Sequence, residues 1–153
     1  SVGDEDHLIS SLSGLGKIFF WKAAIKPGRP IAVGKINKCF VICLPGNPVS
    51  VQLLHAMLIN PLIEKLSGGV FKLPNSNKIA VNFIMKKKTK RMEWLRVIKN
   101  KKNNQDVAIK YPKQGSGMIS SISYSSGIIE ISEEISLIKK GDIFEFYDFE
   151  NLF

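Results

Sequence analysis

Long apolar runs are missing from this 153-residue sequence, and acidic residues are too few to balance the basic ones, 13 against 22. No stretch approaches the ~18 consecutive apolar residues of a membrane span, and the leading SVGDEDH is acidic where a secretory leader would be basic. The sequence therefore reads as cytoplasmic, with no membrane partner. Cysteine is scarce: Cys39 and Cys43 lie four apart in CFVIC, about 13 Å along a strand, which excludes a disulfide between them and reads them as small buried hydrophobes. His7 and His55 complete no ligand spacing for a metal. Aromatic residues do not interleave the basic runs KKKTKR and KNKKNN, so the stacking platform of a single-strand binder is missing and no nucleic-acid partner is expected. No internal repeat is visible.

What is present is a soluble globular composition, 44% hydrophobic and 23% charged, with a net charge of +9 that is unevenly placed. Residues 1–70 carry 7 basic against 4 acidic side chains, residues 71–120 carry 13 against 2, and residues 121–153 carry 2 against 7. A basic excess confined to the middle of a chain generally heavy in Lys, Ile and Asn reads as lysines on exposed turns.

The chain opens with no preceding strand or cap, as a fragment would. From Asp4, Leu8, Leu12 and Leu15 fall at helical spacing behind three carboxylates, which either complement the helix dipole or handle a hard cation. Lys17 to Ile25 reads as a strand running into the bend Lys26-Pro27-Gly28-Arg29-Pro30. On such a strand Lys22 and Lys26 share one face, and two prolines display Lys26 and Arg29 on a stiff loop suited to phosphate. The alternative is a solvated basic hairpin.

CFVICL is the near-continuous apolar run of a strand buried on both faces. It leads through Pro45, Gly46, Asn47 and Pro48 into a helix over residues 49–66, with Leu54, Leu58, Leu62 and Leu66 as its stripe, Asn47 as a possible cap and Pro61 as its kink. Strand, glycine turn and helix in that order direct backbone N–H groups at an anion. Beyond the linker-like residues 71–77 the pattern changes. Five strand-like runs, 79–85, 93–99, 106–111, 128–132 and 143–149, with one short helix at 118–124, predict a small β-barrel or sandwich over 78–153. There Arg96 shares parity with Met92, Trp94 and Ile98, which turns a guanidinium toward an apolar face where it needs an anion. Gln114-Gly115-Ser116-Gly117 offers a hydroxyl and free N–H groups on a flexible loop.

Taken in order, SVGDED, FFWKAAIKPGRP, LPGNPVS, RMEWLRVIK and QGSGMISSIS resemble the molybdopterin molybdenumtransferase family, the MoeA-type enzymes of bacteria and the E domain of eukaryotic molybdenum-insertion proteins. The resemblance implies an α/β fold for residues 1–70, the C-terminal part of a molybdopterin-binding domain, followed by a barrel-like all-β domain. It implies a transferase that inserts molybdate into adenylylated molybdopterin (molybdopterin-AMP) with release of AMP, with Mg²⁺, acting as a homodimer. By motif position Asp6, Lys22, Lys26, Arg96 and Ser116 match functional residues of that family, Asp6 as the metal ligand. Arg29 stands where the family often has Lys, and with Pro45, Gly46, Asn47 and Pro48 is expected at the ligand. The family's N-terminal domains have no counterpart here, so the isolated chain is expected to be inactive. A catalytically incomplete molybdopterin-binding fragment is the alternative, ahead of the related adenylyltransferase, which lacks the barrel, and of a basic nucleic-acid module.

Overall fold

The computed structural model describes residues 7–102, 104–115 and 117–153. Helix α1 (Leu8–Leu15) lies on a three-stranded antiparallel sheet of β1 (Lys17–Trp21), β3 (Ala32–Ile36) and β4 (Cys39–Cys43), with β3 in the middle. Of the three leucines at helical spacing only Leu12 is buried, against Ala32 and Cys43; Leu8 and Leu15 face outward. The helix comes this close because β3 carries Gly34, where a Cβ would stand 2.6 Å from the Lys17 carbonyl oxygen and 2.9 Å from Leu12. The expected helix start at Asp4 lies outside the described residues.

Two strand expectations are corrected. CFVIC is not buried on both faces: β4 is a sheet edge, Cys39 is exposed and only Cys43 is buried. The run 17–25 is not one strand either. β1 stops at Trp21, Lys22 turns to φ 67°, and the chain resumes as β2 (Ile25–Lys26), which leaves the first sheet for another. Lys22 N–H donates to the Ile31 carbonyl and Ala23 N–H to that of Arg29, closing residues 22–31 into a compact excursion. Gly28 at φ 118° makes its turn, and a Cβ there would meet Leu54 at 3.1 Å.

The long helix is α2 (Pro48–Leu54), a π-helical turn at His55–Ile59 and α3 (Asn60–Leu66). Pro61 explains the insertion: its ring would strike the carbonyl four residues back, and the wider turn, in which Asn60 N–H reaches the His55 carbonyl, takes up the conflict. The buried face is Val49, Leu53, Leu54, Ala56, Met57 and Ile59, a broader set than the i, i+4 stripe, and Leu66 is exposed.

The second half is a closed five-stranded barrel. Strands β5 (Asn77–Val81), β7 (Met92–Lys102), β8 (Gln105–Lys110), β9 (Gly127–Ile131) and β11 (Ile143–Asp148) pair in the order β7-β8-β5-β11-β9, and β9 returns to β7. The remaining elements are α4 (Ser120–Ser123), a terminal turn α5 (Phe149–Leu152), and a short ladder of β6 (Met85–Lys86) with β10 (Leu137–Ile138), so the expected strand 79–85 ends early. Alternation sorts the barrel strands: Leu95, Val97, Ile129, Ile131, Phe144 and Phe146 fill the interior. The intervening Trp94, Ile128 and Tyr147 face outward and pack on Val49, Leu53, Leu54 and Met57 of the helix. The two halves thus share a core of their own. Strand β2 completes the junction by pairing parallel to β7, Ile25 beside Met92 and Lys26 beside Glu93.

Candidate functional site

Pairing of β2 with β7 carries the KPGRP bend to the outer face of the barrel, where LPGNP meets it from the other side. Between them lies a cavity of about 290 Å³ lined by Lys26, Pro27, Gly28, Arg29, Pro30, Pro45, Asn47 and Ser50 on one wall, and by Arg91, Glu93, Trp94, Arg96, Gln114 and Gly115 on the other.

Arg96 is the unusual member. It is 1% exposed, it lines the cavity, and its Nε and Nη2 have no hydrogen-bond partner among the described residues. A buried guanidinium without a partner is costly, because desolvation is not repaid by a hydrogen bond. Burial accordingly pushes its pKa below the usual range, with the charge of Glu93 acting in the opposite direction. The guanidinium remains charged at any ordinary pH. Its backbone is held firmly: Arg96 N–H donates to Gln114 Oε1 at 3.2 Å, Gln114 Nε2 donates to the Arg96 carbonyl at 2.7 Å and to that of Tyr111 at 2.8 Å, and Tyr111 N–H donates to the Arg96 carbonyl. Gln114 thereby prolongs the ladder past the end of β8 and fixes where the arginine starts.

Among the described lining residues the one carboxylate is Glu93, which is 7% exposed and bound by Lys26 Nζ at 2.7 Å. Glu130 is committed elsewhere, accepting from Trp94 Nε1 at 3.0 Å. Among the described residues the cavity therefore presents Arg29, Arg91 and Arg96 against one neutralised pair. Such a surface selects an anion carrying several acceptor oxygens.

Of the residues expected at the site, Lys26, Arg29, Pro45, Asn47 and Arg96 line this cavity, whereas Gly46 and Pro48 do not. Asp6 and Ser116 lie outside the described residues. Lys22 is not among the residues lining this cavity: the strand breaks there, so the alternation that would put it on one face with Lys26 is lost. Its Nζ rests 4.0 Å from the Trp21 ring centroid, beside a neighbouring depression. Asn47 occupies the cap position of α2, yet its side chain makes no capping bond, and α2 itself is only seven residues long before the π-turn. Sequence reasoning missed Glu93, Arg91, Ser50 and the whole turn 86–91. Glu93 had one available signal, an acidic residue beside a barrel-strand tryptophan and between two arginines in RMEWLR.

The comparisons with known proteins agree with this architecture. The profile described as a probable molybdopterin binding domain matches residues 1–65, and that described as the MoeA C-terminal region (domain IV) matches residues 78–149. The chain is 31% identical over 154 residues to molybdopterin molybdenumtransferase of Haemophilus influenzae, covering 99% of this chain and 38% of the relative. It is 35% identical over 66 residues to the protein of that name in Synechococcus elongatus, covering 41% and 16%. The crystal structure of the molybdopterin biosynthesis MoeA protein from Pyrococcus horikosii superposes with a TM-score of 0.72 at 26% identity, covering 92% of this chain and 34% of that one. The chain thus spans about a third of the Haemophilus and Pyrococcus relatives, and its match to the Synechococcus one is shorter still. A segment that matches the probable molybdopterin binding domain, joined to a domain IV barrel, defines a protein of molybdenum cofactor biosynthesis. The chain belongs to the MoeA-type molybdopterin molybdenumtransferase family.

Proposed function

We propose that this chain carries part of the site at which molybdate is inserted into adenylylated molybdopterin with release of AMP. The observation that carries this reading is the buried guanidinium of Arg96, whose Nε and Nη2 have no partner among the described residues, on a cavity that also holds Lys26, Arg29 and Arg91. Both substrates bear what that cavity lacks: molybdate is a tetrahedral dianion, and the pterin and adenylyl phosphates are anions of similar shape. Arg96 would hold a molybdate or phosphate oxygen through its guanidinium N–H donors, on a backbone that Gln114 holds in place. Arg29, exposed on the KPGRP bend, would adapt to the same anion, and Lys26 would keep Glu93 from repelling it. Catalysis of this kind is positioning and charge stabilisation, since the dithiolene of the substrate provides the ligands to molybdenum. Asp6 and Ser116 are proposed at the same site from their motif positions alone.

Magnesium finds no fitting donor set in the described residues. Glu93 is committed to Lys26, and no group of three or more His, Cys, Asp or Glu is assembled among them, so no step is assigned to the ion. The reading further places the protein in the cytoplasm as a homodimer, divided into residues 1–70 and 78–153. In support of pairing, Phe19, Phe20 and Phe40 leave apolar surface exposed on the first sheet; none of the described helices is long and apolar enough to cross a membrane.

Calorimetric titration with molybdate, followed by mixing with adenylylated molybdopterin and measurement of AMP release, tests the proposal. Molybdate binding that is lost in Arg96→Gln is the expected result. Release of AMP would extend it to turnover by this chain, and binding without release would leave the molybdopterin-binding reading. Equal binding by the parent and Arg96→Gln would remove the site.

A further inference from the structure

We propose that the depression between Lys22 and the turn 88–91 is a second oxyanion subsite, adjoining the first cavity and taking a phosphate-type dianion. Its existence does not depend on the insertion reaction. The depression measures about 450 Å³, and its lining includes Lys22, Arg29, Lys88, Thr89, Lys90 and Arg91, five cations and a hydroxyl with no carboxylate among them. Among the described residues none of the five cations forms a salt bridge; the two ion pairs are Lys26–Glu93 and Lys99–Asp148. Converging like charges repel, and a bound anion with several acceptor oxygens is what relieves them.

Two further observations separate this cluster from a loose fringe of surface lysines. First, the turn is tied down. Lys87 Nζ donates to the carbonyls of Lys88, Ser132 and Ile135 at 3.0–3.2 Å, and Lys90 N–H donates to the Glu133 carbonyl at 2.9 Å. Lys87 is thus spent on structure and leaves Lys88 and Lys90 at the depression. Second, the backbone is held in a disfavoured conformation on both sides of it. Four non-glycine residues have positive φ among those described; two are asparagines, which tolerate this region, and the other two are Lys22 and Lys90, each at φ 67° and each lining the depression. Lysine has no intrinsic reason to sit there, and strained backbone of this kind gathers where a side chain must be aimed. Arg29 and Arg91 line both cavities, so the two subsites share a wall.

The test is an amide NMR titration of the chain with inorganic phosphate at constant ionic strength, repeated with glycerol phosphate to separate free phosphate from a phosphate monoester. Amides of residues 22–24 and 88–91 report the second subsite, and those of Arg96, Gln114 and Gly115 the first. The proposal expects the first group to saturate with its own midpoint. In Lys88→Gln/Lys90→Asn, where asparagine accepts the positive φ, that midpoint weakens about tenfold, as for the loss of a charge-assisted hydrogen bond, while the Arg96 group keeps its own. Lys101→Gln, remote from both cavities, leaves both midpoints in place. The proposal is overturned if the 88–91 amides do not shift, if Lys101→Gln weakens them as much as the double variant, or if a short single-stranded oligonucleotide shifts them at lower concentration than phosphate with a steep salt dependence. Shifts at 88–91 with a silent Arg96 group sustain this subsite and count against the insertion site; the reverse pattern overturns the subsite alone.

Discussion

On the loop wall of the cavity Arg29 stands exposed on a bend stiffened by two prolines, whereas on the barrel wall Arg96 is 1% exposed near the middle of an eleven-residue strand. Both are arginines facing one cavity, yet they bear on stability differently. Arg29 keeps its hydration, so its presence costs the fold little and its contribution to an anion is weakened by water and salt. Arg96 has surrendered its hydration on folding, and Gln114 fixes the backbone from which its side chain starts, so much of the cost has already been met before an anion arrives. The barrel wall is pre-organised at the expense of stability, and the loop wall adapts at the expense of strength.

The largest effect is expected from separating the walls. Leu53 is fully buried in the core that joins the helix to Trp94, Ile128 and Tyr147, and Leu53→Ala should cost about 2–5 kcal/mol in chemical denaturation. Anion affinity should fall with it, because both walls lose their common support; a stable variant with full affinity would show the walls to be independent. Next comes Lys26→Ala, which strands the buried Glu93 carboxylate beside Arg96. About 1–2 kcal/mol of stability should be lost, less than for a wholly buried pair since the Lys26 side chain retains 41% of its exposure. The freed carboxylate would then turn to Arg96 and compete with the ligand.

Arg29→Gln sharpens the contrast from the other side. Stability should move by less than about 0.5 kcal/mol, and anion affinity should fall only a few-fold, with the difference vanishing at high salt. A loss as great as that of an Arg96 substitution would erase the distinction between the walls.

The smallest effect concerns a pair outside the cavity, Lys99 Nζ and Asp148 Oδ2 at 2.8 Å. Burial favours the neutral form of Asp148, but hydrogen bonds from Lys99 and from Glu150 N–H outweigh it and hold the carboxyl below its usual range. The Lys99 ammonium is correspondingly raised, first by its hydrogen bond to Asp148. A depressed carboxylate stabilises above its unfolded pKa and loses that contribution as pH falls through the folded value; a raised lysine loses its own as pH rises through the folded value. Asp148→Asn should therefore cost a few tenths of a kcal/mol at neutral pH, and the difference should fade in acid, with anion binding untouched.

Much of the barrel was legible because interior and exterior alternate along its strands: Leu95 and Val97 against Trp94 and Arg96 is a period-two pattern that the sequence displays openly. The anion character of KPGRP was legible for a similar reason, since two prolines leave its cations no regular element to join. What could not be read was every feature set by long-range pairing. Nothing local marks Lys22 as the end of β1, for lysine carries no preference for φ 67°, and the crossing of Ile25 and Lys26 to β7 depends on residues 67 positions away. The turn 86–91 looked like lysines on an exposed turn because its neighbours, Lys22, Arg29 and the carbonyls of Ser132 and Ile135, are remote in sequence. Gln114, read as part of a flexible loop, is instead the clamp on Arg96.

The most direct test of the two-wall account is Arg96→Met, with unfolding free energy and molybdate affinity measured on the same preparation. The account predicts that the two quantities separate: stability unchanged or raised by up to about 2 kcal/mol, because a buried charge whose Nε and Nη2 have no partner among the described residues has been replaced by a side chain that needs none, and affinity reduced at least about tenfold. A variant that loses stability while binding molybdate as the parent does would contradict it.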